Sequence, residues 1–178
     1  MVVDLINPAF WSLQWAWEWL QNQRMLRPLQ LPDNFSGKLW LTAMPGRFKS
    51  LEKFLGWCRG VSVDQIVCTV HEEEIAEKSP EYAAELEAGT FSLPVEQFSI
   101  PDYGVPKDIK GLADLARRVS EKLQAGRKIV LHCAAGHGRT GMVAVMILMA
   151  AGMPTEYALA AVQAAGSSPE TAEQRQLL

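Results

Sequence analysis

The feature that most constrains this chain is a short apolar run, Lys128-Ile129-Val130-Leu131-His132, separated by a glycine-rich loop from a second apolar run, Arg139 to Ala151. The first has the β-branched character of a buried strand, and the second reads as a buried helix. The loop between them is Cys133-Ala134-Ala135-Gly136-His137-Gly138. A loop that joins a strand end to a helix start carries unsatisfied backbone N–H groups, and the positive end of the helix dipole favours the same anion that those groups would bind. The backbone from Ala134 to Arg139 can therefore cradle an anionic group. Cys133 lies at the base of this cradle, where helix termini, cations and hydrogen-bond donors favour the nucleophilic thiolate. Arg139, six positions on, offers a planar fork that can hold two oxygens of a phosphate, a geometry lysine does not reproduce. Thr140 adds a hydroxyl beside the sulfur.

Elsewhere the periodicity predicts strands over 38–43 and 66–70 and an extended segment over 91–98. Helices are predicted where Leu51, Phe54, Leu55 and Cys58 recur, from Ser79-Pro80 to Gly89, along the face Leu112, Leu115, Ala116, Val119 and Leu123, and from a Thr155 cap to Ala165. Ser168 and Pro169 are expected to open a last helix. Alternating strands and helices predict a three-layer α/β/α sandwich with a largely parallel central sheet and its site at the carboxyl ends of the strands, where Cys133 falls. A length of 178 residues suits one domain.

The stretch HCAAGHGRTG resembles the Cys-x5-Arg-Ser/Thr signature of the cysteine-based protein tyrosine phosphatase superfamily. Its late position in a short chain is similar to the dual-specificity group. Pro32-Asp33-Asn34-Phe35-Ser36 and Leu39-Trp40-Leu41-Thr42-Ala43-Met44-Pro45-Gly46 resemble the entry strand of small atypical dual-specificity phosphatases. The resemblance implies a phosphotyrosine phosphatase-like fold over 31–178; residues 1–30, which it does not cover, read as a tryptophan-rich helical extension packed on the body. It also directs attention to Ile100-Pro101-Asp102-Tyr103-Gly104-Val105-Pro106, a loop shaped by prolines and glycine about 30 residues before Cys133, which is similar to the family's acid loop.

By that resemblance Cys133 is the nucleophile and Asp102 the general acid and then base. The amides of Ala134, Ala135, Gly136, His137, Gly138 and Arg139, with the Arg139 guanidinium, hold the phosphate. Thr140 and His132 support the loop, and Gln174, in Glu170-Thr171-Ala172-Glu173-Gln174, assists by orienting the hydrolytic water. The activity implied is hydrolysis of phosphotyrosine, and of phosphoserine or phosphothreonine, on a phosphorylated protein or peptide through a phosphocysteine intermediate. Lysines, frequent in this loop of phosphoinositide phosphatases of the superfamily, are replaced here by Ala134 and Ala135. A phosphoinositide or inositol phosphate phosphatase is the second enzymatic reading, and a non-catalytic phosphate-binding regulatory module is the third.

Each residue also has a plainer reading. Asp102 alone would be an ordinary turn aspartate, and Cys133 alone a buried inert cysteine. The glycines and the Arg-Thr pair at this spacing favour the chemical reading of both. A Cys–His dyad is not expected, since His132 on a strand should point away from Cys133 and bond the backbone. His137, in the crown of the loop, faces either substrate or solvent. For Gln174 the plainer reading, an exposed helix glutamine, is the favoured one. Arg47, Lys107 and Lys110 read as solvated, Tyr103 as either a pocket wall or a packed loop residue, and Glu72-Glu73-Glu74 as a solvated acidic face.

A net charge of -3 gives no general attraction to nucleic acid or anionic membranes. Three cysteines and three histidines form no metal-ligand spacing or disulfide framework, so neither a metal nor another cofactor is expected, and a reducing cytoplasm is the expected location. Cys58 and Cys68 read as packing residues or resolving partners for an oxidised Cys133. No signal peptide is evident, and Met142 to Ala151 is too short for the ~20 residues of a membrane span. Trp11, Trp15, Trp17 and Trp19 suggest an amphipathic helix packed on the body, with a partner or dimer contact as the alternative.

Overall fold

The computed structural model describes residues 25–178. The expected tryptophan helix, and any docking role for Trp11 to Trp19, lie outside the described residues. In chain order the elements are β1 (Arg27–Leu29), β2 (Lys38–Thr42), α1 (Leu51–Val61), β3 (Gln65–Cys68), α2 (Glu72–Lys78), α3 (Pro80–Glu87), β4 (Val95–Gln97), α4 (Ile109–Gln124), β5 (Lys128–His132), α5 (Gly138–Ala150), α6 (Thr155–Ala164) and α7 (Ala172–Gln176). They build one five-stranded sheet of order β1-β2-β5-β3-β4, parallel except for the edge strand β1, which runs antiparallel to β2.

Side-chain alternation along the strands divides the core between the two sheet faces. Leu39, Leu41, Val67, Ile129 and Leu131 pack with α4, α5 and α6, while Trp40, Ile66, Cys68 and Val130 pack with Leu51, Phe54 and Cys58 of α1, Ile75 of α2 and Tyr82 of α3. The fold is the expected mixed α/β sandwich. β5 is central, buried on both faces and apolar throughout its interior, as a parallel strand covered by helices must be.

Local signals account for most element ends. Ser50 caps α1 by accepting from the Lys53 N–H, Asp108 caps α4 by accepting from the Gly111 N–H at 2.8 Å, and Pro80 occupies the first turn of α3. The apolar stripe of α4 is fully inside, each of its leucines contributing about 1.5–3 kcal/mol of burial.

Four sequence readings differ from the structure. The sheet begins at Arg27, so the body starts before residue 31: a three-residue edge strand held by the register Arg27↔Leu41 is too short for periodicity to reveal. The last helix starts at Ala172, because Thr171 rather than Ser168 accepts the capping bond from Gln174 N–H, while the Pro169 carbonyl is taken by the Arg175 side chain. Thr155 stands inside α6, whose cap position is Pro154. The segment over 91–98 is a strand only at Val95–Gln97.

Candidate active site

Parallel pairing places the ends of β2, β3 and β5 side by side, and the loop after β5 emerges there. Cys133 is buried at its base, and its Sγ accepts the Gly136 N–H at 3.1 Å. That bond needs a backbone turn only glycine makes easily. Gly136 has φ +79°, and a Cβ there would lie 2.5 Å from the Thr42 carbonyl oxygen at the end of β2. The loop is seated on β2 by a further bond, Met44 N–H to the Ala134 carbonyl at 3.2 Å. Ala135 and His137 form the exposed crown, whereas Gly138, Arg139 and Thr140 are buried. The Thr140 hydroxyl has no hydrogen-bond partner among the described residues.

Arg139 is 2 % exposed and is held from two directions. Its Nη1 donates to Glu74 Oε2 at 2.7 Å and to the Ile100 carbonyl at 3.2 Å, and its Nη2 donates to Glu74 Oε1 at 3.0 Å. Asp102 Oδ1 lies 2.8 Å from the same Nη2. The acid loop is therefore folded over the phosphate-type loop, with Asp102 itself half exposed. Lys78, one turn beyond Glu74 on α2, pairs with Glu74 at 2.7 Å and stands 3.9 Å from Asp102 Oδ2. Burial alone would lower the Arg139 pKa, but the Glu74 hydrogen bonds and the neighbouring Cys133 and Asp102 raise it, so the guanidinium is firmly charged.

The acidic run is thus not a uniform solvated face. Glu72 and Glu73 are exposed, but Glu74 turns inward onto Arg139. A three-residue run sweeps most of the way round a helix, so one member had to face the body, and only the packing of α2 selects which. The Arg139 hydrogen bond, with Lys78 in support, holds the Glu74 carboxyl down to about 2 against the cost of burial.

His132 is fully buried and does not serve Cys133 as a base. Its Nδ1 faces the Cys133 carbonyl at 3.2 Å and its Nε2 the Tyr82 hydroxyl at 3.3 Å. A carbonyl can only accept, so Nδ1 carries the proton and Nε2 accepts from Tyr82. Burial pushes the His132 pKa down to about 4, which keeps the ring in that neutral form. Thr69 completes the support, its N–H and its hydroxyl both donating to the His132 carbonyl at 3.0 Å.

Acid stability follows from these two groups. Both folded-state values lie below the ordinary ones, 4.5 for Glu and 6.5 for His, so each contribution is complete above its ordinary value and is lost as pH falls through the folded one. Denaturant unfolding should show Glu74→Gln less stable than the native chain by roughly 1–3 kcal/mol at pH 7. The gap should narrow between pH 4.5 and about 2; a gap that stays constant over that interval would contradict the assigned ion pair.

The C-terminal segment contributes more than Gln174. Glu170 reaches the loop, its Oε2 accepting the Gly138 N–H at 2.9 Å, so the first amide of α5 already holds a carboxylate. Gln174 is fully buried rather than exposed: its Oε1 accepts the Glu170 N–H at 2.9 Å and its Nε2 donates to the Gly104 carbonyl of the acid loop at 3.1 Å. It joins the last helix to the acid loop. Tyr103 is 66 % exposed with φ +56°, neither packed nor screened, and Arg47 stacks over Phe48 at 4.6 Å. Among the described residues, no group of three His, Cys, Asp or Glu is placed to hold a metal ion, and no helix is long and apolar enough to cross a membrane.

The model of the tyrosine phosphatase family matches residues 72–161, half of the chain, from α2 through the loop and into α6. The chain belongs to the tyrosine phosphatase family. Its fold is similar to that of kinase associated phosphatase, at TM-score 0.72 and 20% identity over 85% of this chain and 89% of that one. It is also similar to Tk-PTP in the active form, at TM-score 0.64 and 25% identity over 86% and 93%. PTPMT1, solved in complex with PI(5)P, matches at TM-score 0.61 and 18% identity over 83% and 90%. No curated protein matches. The family resemblance points to the loop, to Asp102 and to the segment Glu170 to Gln174, though not to the bond Glu170 makes; Glu74, Lys78 and Tyr82 were missed, because none belongs to a motif legible without knowing what packs on the loop.

Proposed function

We propose that this phosphatase is a small dual-specificity-type enzyme that hydrolyses phosphotyrosine, and phosphoserine or phosphothreonine, on proteins or peptides through a phosphocysteine intermediate. The observation that carries the reading is the 2.8 Å approach of Asp102 to Arg139. It brings a carboxyl from a separate loop to the guanidinium whose charge Cys133 feels, a pairing of acid and phosphate-binding cation that supports two-step phosphoryl transfer. The Glu170 carboxylate on the Gly138 N–H supports the anion-binding character of the loop.

In the first step the Cys133 thiolate attacks phosphorus, the ester P–O bond breaks, and protonated Asp102 gives its proton to the departing oxygen. The loop amides and Arg139 hold the equatorial oxygens, where charge is spread in the transition state. In the second step Asp102, now a carboxylate, accepts a proton from water as its oxygen attacks phosphorus. The P–S bond breaks, and phosphate and the thiolate are restored. Asp102 must leave Arg139 Nη2 to reach the ester oxygen, so substrate oxygens take over the donor that the carboxylate occupies in the free enzyme. His132, neutral and saturated, fixes the strand end without exchanging protons.

Hydrolysis of p-nitrophenyl phosphate in EDTA and reductant tests the reading. Turnover should persist with metals chelated, and Asp102→Asn should lower kcat by about 10²–10³-fold, the usual range for a lost general acid. A panel of phosphopeptides and phosphoinositides tests the substrate class: the loop alanines predict a preference for phosphopeptides, whereas preference for phosphoinositides would favour the lipid reading that PTPMT1 brings to mind. Phosphopeptide binding by a folded native protein that turns over neither class would replace the enzyme by a binding module.

A further inference from the structure

Arg27, on the edge strand β1, reaches across to the back of the loop more than a hundred residues later. Its Nη2 donates to the Gly136 carbonyl and, at 3.1 Å, to Ser167 Oγ, and its Nη1 donates to the Gly166 carbonyl. Its Nε lies 3.5 Å from the Leu41 carbonyl, its neighbour in the sheet register. Ser167 is buried, and its hydroxyl donates to the same Gly136 carbonyl at 2.6 Å. One peptide oxygen of the catalytic loop thus receives two side-chain donors.

The consequence follows from peptide geometry. In a planar trans peptide the C=O and the next N–H point in opposite directions. Fixing the Gly136 carbonyl toward Arg27 and Ser167 turns the His137 N–H away from them. Charge adds a second effect. Arg139 is matched by two carboxylates, Glu74 and Asp102, and His132 is neutral. The Arg27 partners given above are neutral oxygens, so its positive charge is not cancelled by them. Burial lowers the Arg27 pKa from 12.5 and the electrostatic attraction of Cys133 opposes this.

We propose that Arg27, with Ser167, is a positioning residue for the phosphoryl transfer: it sets the Gly136–His137 peptide so that the loop amides converge on the phosphate, and its guanidinium, which meets no carboxylate among the described residues, adds positive charge behind the Cys133 loop. The proposal rests on the phosphocysteine reading of the loop. It makes β1, at the N-terminal margin of the fold, part of the catalytic apparatus.

The test combines turnover with two measurements that need no turnover: the iodoacetamide alkylation rate of Cys133 at neutral pH, located by mass spectrometry, and competitive protection by inorganic phosphate. Cys58 and Cys68 are buried thiols pushed up to about 12, so Cys133 dominates the signal. In Arg27→Met, kcat/KM on p-nitrophenyl phosphate should fall about 10–100-fold, less than the loss for an oxyanion donor removed outright. Alkylation should slow several-fold and phosphate protection should weaken in parallel. Arg27→Lys, which keeps the charge but cannot span the separate acceptors, should restore the alkylation rate more than kcat/KM. Ser167→Ala should lower kcat/KM with little effect on alkylation. A folded Arg27→Met with native alkylation and phosphate protection overturns the proposal, and if that variant does not fold, native phosphate protection together with native kcat/KM in both Arg27→Lys and Ser167→Ala overturns it. An inactive native enzyme would instead count against the phosphocysteine reading, because the two binding measurements would still report on Arg27.

Discussion

Cys133→Ser is expected to remove turnover of p-nitrophenyl phosphate by at least about four orders of magnitude, since covalent catalysis has no second route once its nucleophile is lost. The substitution changes one buried atom. Serine is smaller by little, and its hydroxyl can still accept the Gly136 N–H that Cys133 Sγ receives at 3.1 Å, so the loop should keep its shape. What is lost is the sulfur that would bond to phosphorus in the proposed mechanism, and a serine hydroxyl at neutral pH keeps its proton. His132 has both ring nitrogens engaged, and Asp102 pairs with Arg139 and in the proposed mechanism serves the leaving group. The variant should therefore bind a phosphopeptide about as tightly as the native enzyme does while failing to release phosphate. Loss of binding together with turnover would show that the cradle depends on the thiolate charge more than on its amides. Retained turnover would end the phosphocysteine mechanism.

The separation of binding from chemistry in that experiment mirrors how the site is built. The part legible in the sequence is the part whose function resides in local spacing. Gly136 had to be glycine because the backbone turns at φ +79° against β2, and Arg139 had to follow at the start of a helix. The central strand and the apolar helix behind the loop were equally visible, because burial on both faces writes itself as an unbroken apolar run. Glu74 was invisible for the opposite reason. It acts on Arg139 across 65 positions of sequence, and its neighbours Glu72 and Glu73 share its composition but not its direction. Arg27 is a stronger instance, since nothing near it in sequence announces a catalytic loop 109 residues away. Gln174 shows a third kind of gap. The motif brought attention to the right segment, but the buried position of its amide, shared between Glu170 and the acid loop, is a property of the packed helix.

Arg139→Lys is the second substitution expected to have a very large effect, a fall in kcat/KM of about 10³-fold although the formal charge is kept. The guanidinium of Arg139 has five N–H donors in a fixed plane, and the protein uses three of them to define that plane, two to Glu74 and one to the Ile100 carbonyl, while Asp102 Oδ1 pairs with the charge at 2.8 Å from Nη2. An ammonium has three donors and no plane. In this site Glu74 would capture it, as Glu74 already captures Lys78 at 2.7 Å, and the charge would be drawn toward α2 instead of standing over Cys133. Asp102 would lose the guanidinium it pairs with at 2.8 Å. The loss should therefore fall on both KM and kcat, because the same fork binds the phosphate and fixes the approach of the acid. Glu74→Gln separates these effects. Its amide oxygen can still accept from Arg139 but carries no charge, so it should cost much less activity than Arg139→Lys while costing stability at pH 7. Should Arg139→Lys retain more than a tenth of native kcat/KM, positive charge alone would suffice at this position, and the planar geometry enforced by Glu74, Ile100 and Asp102 would serve folding instead of phosphoryl transfer.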